Sequence, residues 1–132
     1  MSRVFLSAPH MTGEERRYVQ EAFDTNWLSS GGPHLAAFEH EFESVVGVPS
    51  VALGSGTAAI HLALKLLGVG DGDPVLCPTL TFAGSCNPIV YERGVPVFVD
   101  SERRSFNLDP ERTDEALTAL AKRGKRAKAI IV

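Results

Sequence analysis

The stretch from Ser50 to Leu67 restricts this chain more than any other. It opens on the short apolar run Val51-Ala52-Leu53, passes through Gly54-Ser55-Gly56-Thr57, and continues as a helical pattern. Ile60, Leu64 and Leu67 share one face of that pattern, with Ala63 and Leu66 beside them. The stretch therefore predicts a strand, a tight turn and a helix. Gly54 and Gly56 let the backbone turn sharply and come close to a bound group. Ser55 suits the N-cap, and Thr57 puts a hydroxyl in the first turn. The first amides of a helix have no acceptor inside it and the helix dipole is positive there. The natural guest is an anion, most often a phosphate.

On the residues alone, three readings of this turn stay open. Gly54-x-Gly56-x-x-Ala59 fits a relaxed dinucleotide fingerprint, which also needs a carboxylate closing the next strand. That strand reads Pro74-Val75-Leu76-Cys77 and runs into Pro78-Thr79-Leu80-Thr81-Phe82, while Asp71 and Asp73 precede it. A single phosphate beside a flat ring suits these residues better, because Phe82 offers a stacking face. The third reading is a plain strand-to-helix turn with no guest.

Ser55-Gly56-Thr57-Ala58-Ala59-Ile60-His61-Leu62-Ala63-Leu64 is followed by Cys77-Pro78-Thr79-Leu80-Thr81-Phe82-Ala83-Gly84-Ser85-Cys86-Asn87-Pro88-Ile89 and Gly94-Val95-Pro96-Val97-Phe98-Val99-Asp100. Together with Asn26-Trp27-Leu28-Ser29-Ser30-Gly31-Gly32-Pro33 and Phe38-Glu39 upstream, these motifs resemble the DegT/DnrJ/EryC1/StrS aminotransferases. The resemblance runs from about Pro9 to the last residue. It implies a pyridoxal-phosphate enzyme of fold type I, acting on a nucleotide-linked keto sugar with glutamate as amino donor, in a homodimer. It also implies roles: Ser55, Gly56 and Thr57 toward the cofactor phosphate, Phe82 toward its ring, and Ser29, Ser30 and Gly31 toward the substrate. Residues 1–33 would form an N-terminal helix and substrate-side loop, and residues 34–132 the first part of the cofactor-binding large domain. No catalytic or metal-binding residue is assigned. The family's ring-nitrogen aspartate and Schiff-base lysine lie past the segment where this chain stops, and neither Lys65 nor the lysines of residues 122–128 match that motif. The chain is thus expected to be an N-terminal piece without transaminase activity of its own.

The remaining sequence predicts alternating helices and strands. Thr12-Gly13-Glu14-Glu15 has capping-box spacing ahead of a helix reaching about Thr25, with Tyr18, Val19, Ala22 and Phe23 inward. Residues 26–33 form a loop in which Trp27 is expected to be an anchor. A second helix starts near Pro33, presents Leu35, Phe38, Phe42, Val45 and Val46 on one face, and ends at Gly47. Val75-Leu76-Cys77 reads as a buried strand. Residues 83–92 read as a helix that Pro88 must delay or bend, since an interior proline costs about 3 kcal/mol. Residues 96–99 and 127–132 read as strands flanking a helix that begins at Asp109-Pro110 and turns Leu117 and Leu120 inward. Val4-Phe5-Leu6 is expected in an N-terminal arm. Alternation of this kind specifies an α/β fold of three layers, a mostly parallel sheet with flanking helices.

Composition removes several classes. With 132 residues, 44% hydrophobic and 22% charged, the chain can build a real core. A net charge of -3 supplies no field for nucleic acid, and residues 122–128 are a local basic run only. Cys77 and Cys86 have no CxxC spacing, so neither a disulfide framework nor a zinc site is indicated. His34 and His40 have no partners at metal-ligand spacing, and His61 reads as a packed or hydrogen-bonded histidine. No signal or membrane-spanning segment is present, and a reducing cytoplasm is the expected compartment. Other outcomes to be weighed are a non-catalytic nucleotide- or dinucleotide-binding module, a pyridoxal-phosphate-dependent sugar dehydratase, and a partner-binding fragment.

Overall fold

A computed structural model describes residues 7–132, so the expected arm at Val4-Phe5-Leu6 lies outside the described residues. The chain divides into two compact units, one ending at Ala52 and the other running from Leu53 to Val132.

The first unit holds two helices, α1 (Glu15–Asp24) and α2 (Pro33–Val46). Glu15 reaches back as its spacing predicts, accepting from the Thr12 and Gly13 amides at 2.8 Å each. Those donors hold its carboxyl at about 2. The helix itself starts two residues later than the capping-box reading implies, because Glu14, not Thr12, is the N-cap. Asn26 ends α1 with φ 58°, a left-handed conformation that asparagine tolerates. The Trp27 ring packs on Gly32, where a Cβ would meet Trp27 Cε3 at 3.1 Å. Trp27 therefore packs on its own loop and stays half exposed, so it is not the anchor on the domain that was expected. Pro33 opens α2, and Gly47 closes it with φ 77°. The apolar faces of both helices are a correction. Tyr18, Val19, Phe23, Phe38, Phe42, Val45 and Val46 all remain exposed. Helical period marks an apolar stripe, but two helices with no third layer cannot bury one.

The second unit is α/β, as the sequence specifies. It contains α3 (Gly56–Leu66), β1 (Pro74–Pro78), a 3-10 turn (Ala83–Ser85), α4 (Asn87–Tyr91), β2 (Val95–Val99), α5 (Pro110–Lys122) and β3 (Ala129–Ile130). The sheet order is β2-β1-β3 and both pairings are parallel. Leu76 pairs with Val97 on one side and Ile130 on the other.

Period-two alternation sends β1 side chains to two separate cores. Val75 and Cys77 pack with Leu64, Val69 and Ile89 under α3 and α4. Leu76 packs with Val99 and Leu120 under α5. The chain steps from β1 to β2 and then back past β1 to β3. Two crossovers of one hand, taken in opposite directions, place their helices on opposite faces, and α4 and α5 are so placed.

Several boundaries differ from the sequence reading. Residues 51–53 form no strand, and the Ala52 amide donates to Glu39 Oε1 at 2.9 Å instead. The expected helix over 83–92 breaks into the 3-10 turn and α4, which puts Pro88 in a first turn where its missing N–H costs nothing. The final strand shrinks to Ala129–Ile130. Leu67 is the C-cap of α3 and stays exposed, while Leu64 is buried and Ile60 packs partly against the core. Asp109 caps α5 as expected, accepting from the Glu111 and Arg112 amides. Among the described residues no helix is long and apolar enough to cross a membrane.

Candidate functional site

The front of α3 is built by its cap. Ser55 is extended, with φ -167° and ψ 161°, and its Oγ accepts from the Ala58 amide at 3.1 Å. The Ser55 carbonyl accepts from Ala59 at 3.1 Å, which begins the helical ladder. The amides of Gly56 and Thr57 find no acceptor among the described residues. Gly54, Ser55 and Gly56 are exposed, and nothing lies within 4 Å of a Cβ placed on either glycine, so the tip is open to solvent. The helix tip therefore presents two free N–H donors, the positive end of a dipole and the half-buried Thr57 side chain.

The loop after β1 brings Phe82 to this tip. Phe82 is 83% exposed, with its ring uncovered. Phe82 and Thr57 meet at Gly84, which sits buried in the middle of the 3-10 turn. A Cβ placed there would overlap Thr57 Oγ1 and lie 2.9 Å from Phe82 Cδ1. The structure thus gathers Ser55, Gly56, Thr57 and Phe82 at the carboxyl end of the central strand, where open α/β sheets bind ligands. Ser29, Ser30 and Gly31 belong to the first unit, all three exposed in the loop between α1 and α2.

Residues outside the predicted cofactor contacts support the loop. Thr81 Oγ1 donates to Ser85 Oγ at 2.9 Å across the turn. The Thr79 amide donates to the Val99 carbonyl at 3.0 Å, and its hydroxyl donates to Asp100 Oδ1 at 3.0 Å. The Ser101 amide and the Thr79 hydroxyl together hold the Asp100 carboxyl below its usual range. Gly84 was hidden because a helix over 83–92 would have given it an ordinary interior place. A glycine in the connection that leaves the carboxyl end of a strand, where open α/β sheets bind ligands, was the available signal.

Behind the tip, α3 is tied to α4. His61 Nε2 lies 2.6 Å from Glu92 Oε1, and Lys65 Nζ lies 3.6 Å from the same oxygen. The Tyr91 ring meets His61 edge-on at 5.4 Å between centroids. His61 is thus the hydrogen-bonded histidine that the sequence suggests. The His61 contact is the main reason the Glu92 carboxyl sits below its ordinary 4.5. A depressed carboxyl contributes stability above its unfolded value, and that contribution disappears as pH falls through the lower folded value. Glu92→Gln is therefore expected to flatten the acid limb of a melting-temperature profile below about pH 4.5. An unchanged limb would show that Glu92 is not held by this pairing. On this same α3 and α4 face of the sheet, burial pushes the Cys77 thiol up to about 12, which leaves it inert as a nucleophile at neutral pH.

Comparison with known proteins bears on this arrangement. Residues 9–132 match the DegT/DnrJ/EryC1/StrS aminotransferase family. The chain is 47% identical over 130 residues to EpsN of Bacillus subtilis (strain 168), assigned as a pyridoxal phosphate-dependent aminotransferase. That match covers 98% of this chain and 34% of EpsN. It is 41% identical over 123 residues to a GDP-perosamine synthase of Caulobacter vibrioides, covering 92% of this chain and 33% of that protein. Among solved structures, the PLP form of Spr1654 from Streptococcus pneumoniae, assigned as a sugar aminotransferase, superposes with a TM-score of 0.73 at 30% identity. The superposition covers 87% of this chain and 29% of that one. The chain spans about one third of the length of the curated relatives it matches.

Proposed function

The chain belongs to the DegT/DnrJ/EryC1/StrS aminotransferase family, and from that premise we propose that the intact protein is a pyridoxal-phosphate-dependent sugar aminotransferase. In this reading glutamate donates an amino group to the ketone of a nucleotide-linked sugar, in a cytoplasmic homodimer. The observation that carries the reading is the family match over residues 9–132 combined with an open, two-amide helix tip beside an exposed aromatic ring. GDP-perosamine synthase, by name, makes a GDP-linked compound, which supports a nucleotide-linked substrate.

The residues present fit the cofactor. The Gly56 and Thr57 amides and the Thr57 hydroxyl suit a phosphate monoester, and the bare Gly56 backbone leaves room for it. Ser55 serves first as the cap that holds those amides forward, its Oγ accepting from Ala58 while its O–H stays available as a donor to the phosphate. Phe82 offers its face to the pyridine ring. Ser29, Ser30 and Gly31 are assigned to the substrate, as exposed hydroxyls and a backbone without a side chain. When bound, the cofactor supplies an electron sink at the carbon that exchanges the amine. The part of the chain seen here anchors and orients it.

The test is direct. Purified intact protein is expected to take up pyridoxal phosphate, seen as cofactor absorbance that stays with the protein through gel filtration. With glutamate and a panel of nucleotide-linked keto sugars it is expected to form 2-oxoglutarate and an amino sugar in equal amounts. Failure to bind the cofactor would overturn the reading. Loss of a sugar hydroxyl with no transfer of glutamate nitrogen would instead select the dehydratase alternative.

A further inference from the structure

Gly84 is a glycine for want of space rather than for backbone freedom. Its φ lies outside the left-handed region, so any residue can adopt its conformation. What forbids a side chain is its surroundings. A Cβ there would overlap Thr57 Oγ1 and stand 2.9 and 3.0 Å from Phe82 Cδ1 and Cε1. The other neighbours are fixed. Ser85 donates its amide to the Phe82 carbonyl at 2.9 Å, and Cys86 donates to Ala83 at 3.0 Å. The Thr81–Ser85 hydroxyl pair closes the turn from outside. The turn is rigid at residue 84, and the two groups that touch it are side chains able to move.

We propose that Gly84 is the positioning residue of the cofactor site, its missing side chain letting the Thr57 hydroxyl and the Phe82 ring converge on one point. This rests on the cofactor reading above. The van der Waals radius at residue 84 then sets the separation between the phosphate contact and the ring face. A rigid ligand that must satisfy both at once, such as a phosphorylated pyridine, is sensitive to that separation. A ligand that uses only one is not.

The experiment compares wild type, Gly84→Ala and Gly84→Val of the intact protein. Each is titrated with pyridoxal 5'-phosphate and with inorganic phosphate, and the cofactor-free melting temperature is recorded. Graded losses in pyridoxal phosphate affinity are expected, several-fold for alanine and at least about tenfold for valine. Phosphate alone is expected to weaken by less than the cofactor does. The melting temperature without ligand is expected to hold within about 3 °C, because Thr57 and Phe82 can swing outward without opening a core. Wild-type affinity in Gly84→Val overturns the inference and leaves the cofactor reading standing. Failure of wild type to bind overturns both. If Gly84→Val does not fold, Gly84→Ala decides: a several-fold loss in cofactor affinity with a smaller loss for phosphate supports the inference, and unchanged affinity overturns it.

Discussion

Leu76→Ala is expected to lower the unfolding free energy by about 3–4 kcal/mol, read as a shift in the denaturant midpoint at constant slope. Leu76 is fully buried on the central strand and meets Val99 and Leu120 beneath α5. Its neighbours Val97, Leu108, Ala116, Leu117 and Ala127 come from β2, the connecting loop, α5 and the approach to β3. Elements so varied, and pinned by a parallel ladder on both sides, cannot collapse into the space left by three lost carbons. The cavity term therefore adds to the lost transfer energy. Leu66→Ala is the control. Leu66 is 79% exposed on α3, so the same chemical deletion should move stability by no more than about 0.5 kcal/mol. Equal effects at the two positions would mean that α5 does not seal this face of the sheet.

The second large effect concerns ligand affinity instead of stability. Thr57→Val keeps the shape of the first turn of α3 and deletes its hydroxyl. A hydrogen bond to a charged group contributes about 1.5–3 kcal/mol, so pyridoxal phosphate affinity is expected to fall roughly ten- to a hundredfold. Unphosphorylated pyridoxal should be barely affected. Ser55→Ala separates the two hydroxyls of this turn. Ser55 Oγ already accepts from Ala58, so its loss is expected to cost about 1 kcal/mol of stability through the cap, with a smaller change in affinity. Titration of the three proteins checks this. If Ser55→Ala weakened the cofactor more than Thr57→Val, the phosphate contact would belong to the cap instead of the first turn.

Local chemistry was legible wherever a residue's demand is satisfied within a few positions. Gly47 ends α2, Asp109 caps α5, and Glu15 turns back on Thr12 and Gly13. Pro88 was recognised as unfit for a helix interior, and the break into a 3-10 turn and α4 follows from that unfitness. Distant demands were not legible. The apolar stripes of α1 and α2 were read correctly as stripes, yet periodicity says nothing of what covers them, and they stay exposed. Val51-Ala52-Leu53 has a strand's composition, but a strand exists only where another strand accepts its ladder. Here the Ala52 amide goes to a glutamate.

For the site, the ingredients could be read from the residues alone: glycines bare enough for close approach, a capping serine, a threonine in the first turn and an aromatic residue past the next strand. These follow from backbone sterics and helix electrostatics, which act over one or two turns. It took the folded chain to bring Thr57 and Phe82 together at Gly84, and His61 to Glu92. Those meetings depend on the parallel pairing that sets the ends of β1 and β2 side by side, and on the packing of α3 and α4 over Val75 and Cys77. Such contacts join residues far apart in sequence, and the packed sheet is what brings them within reach.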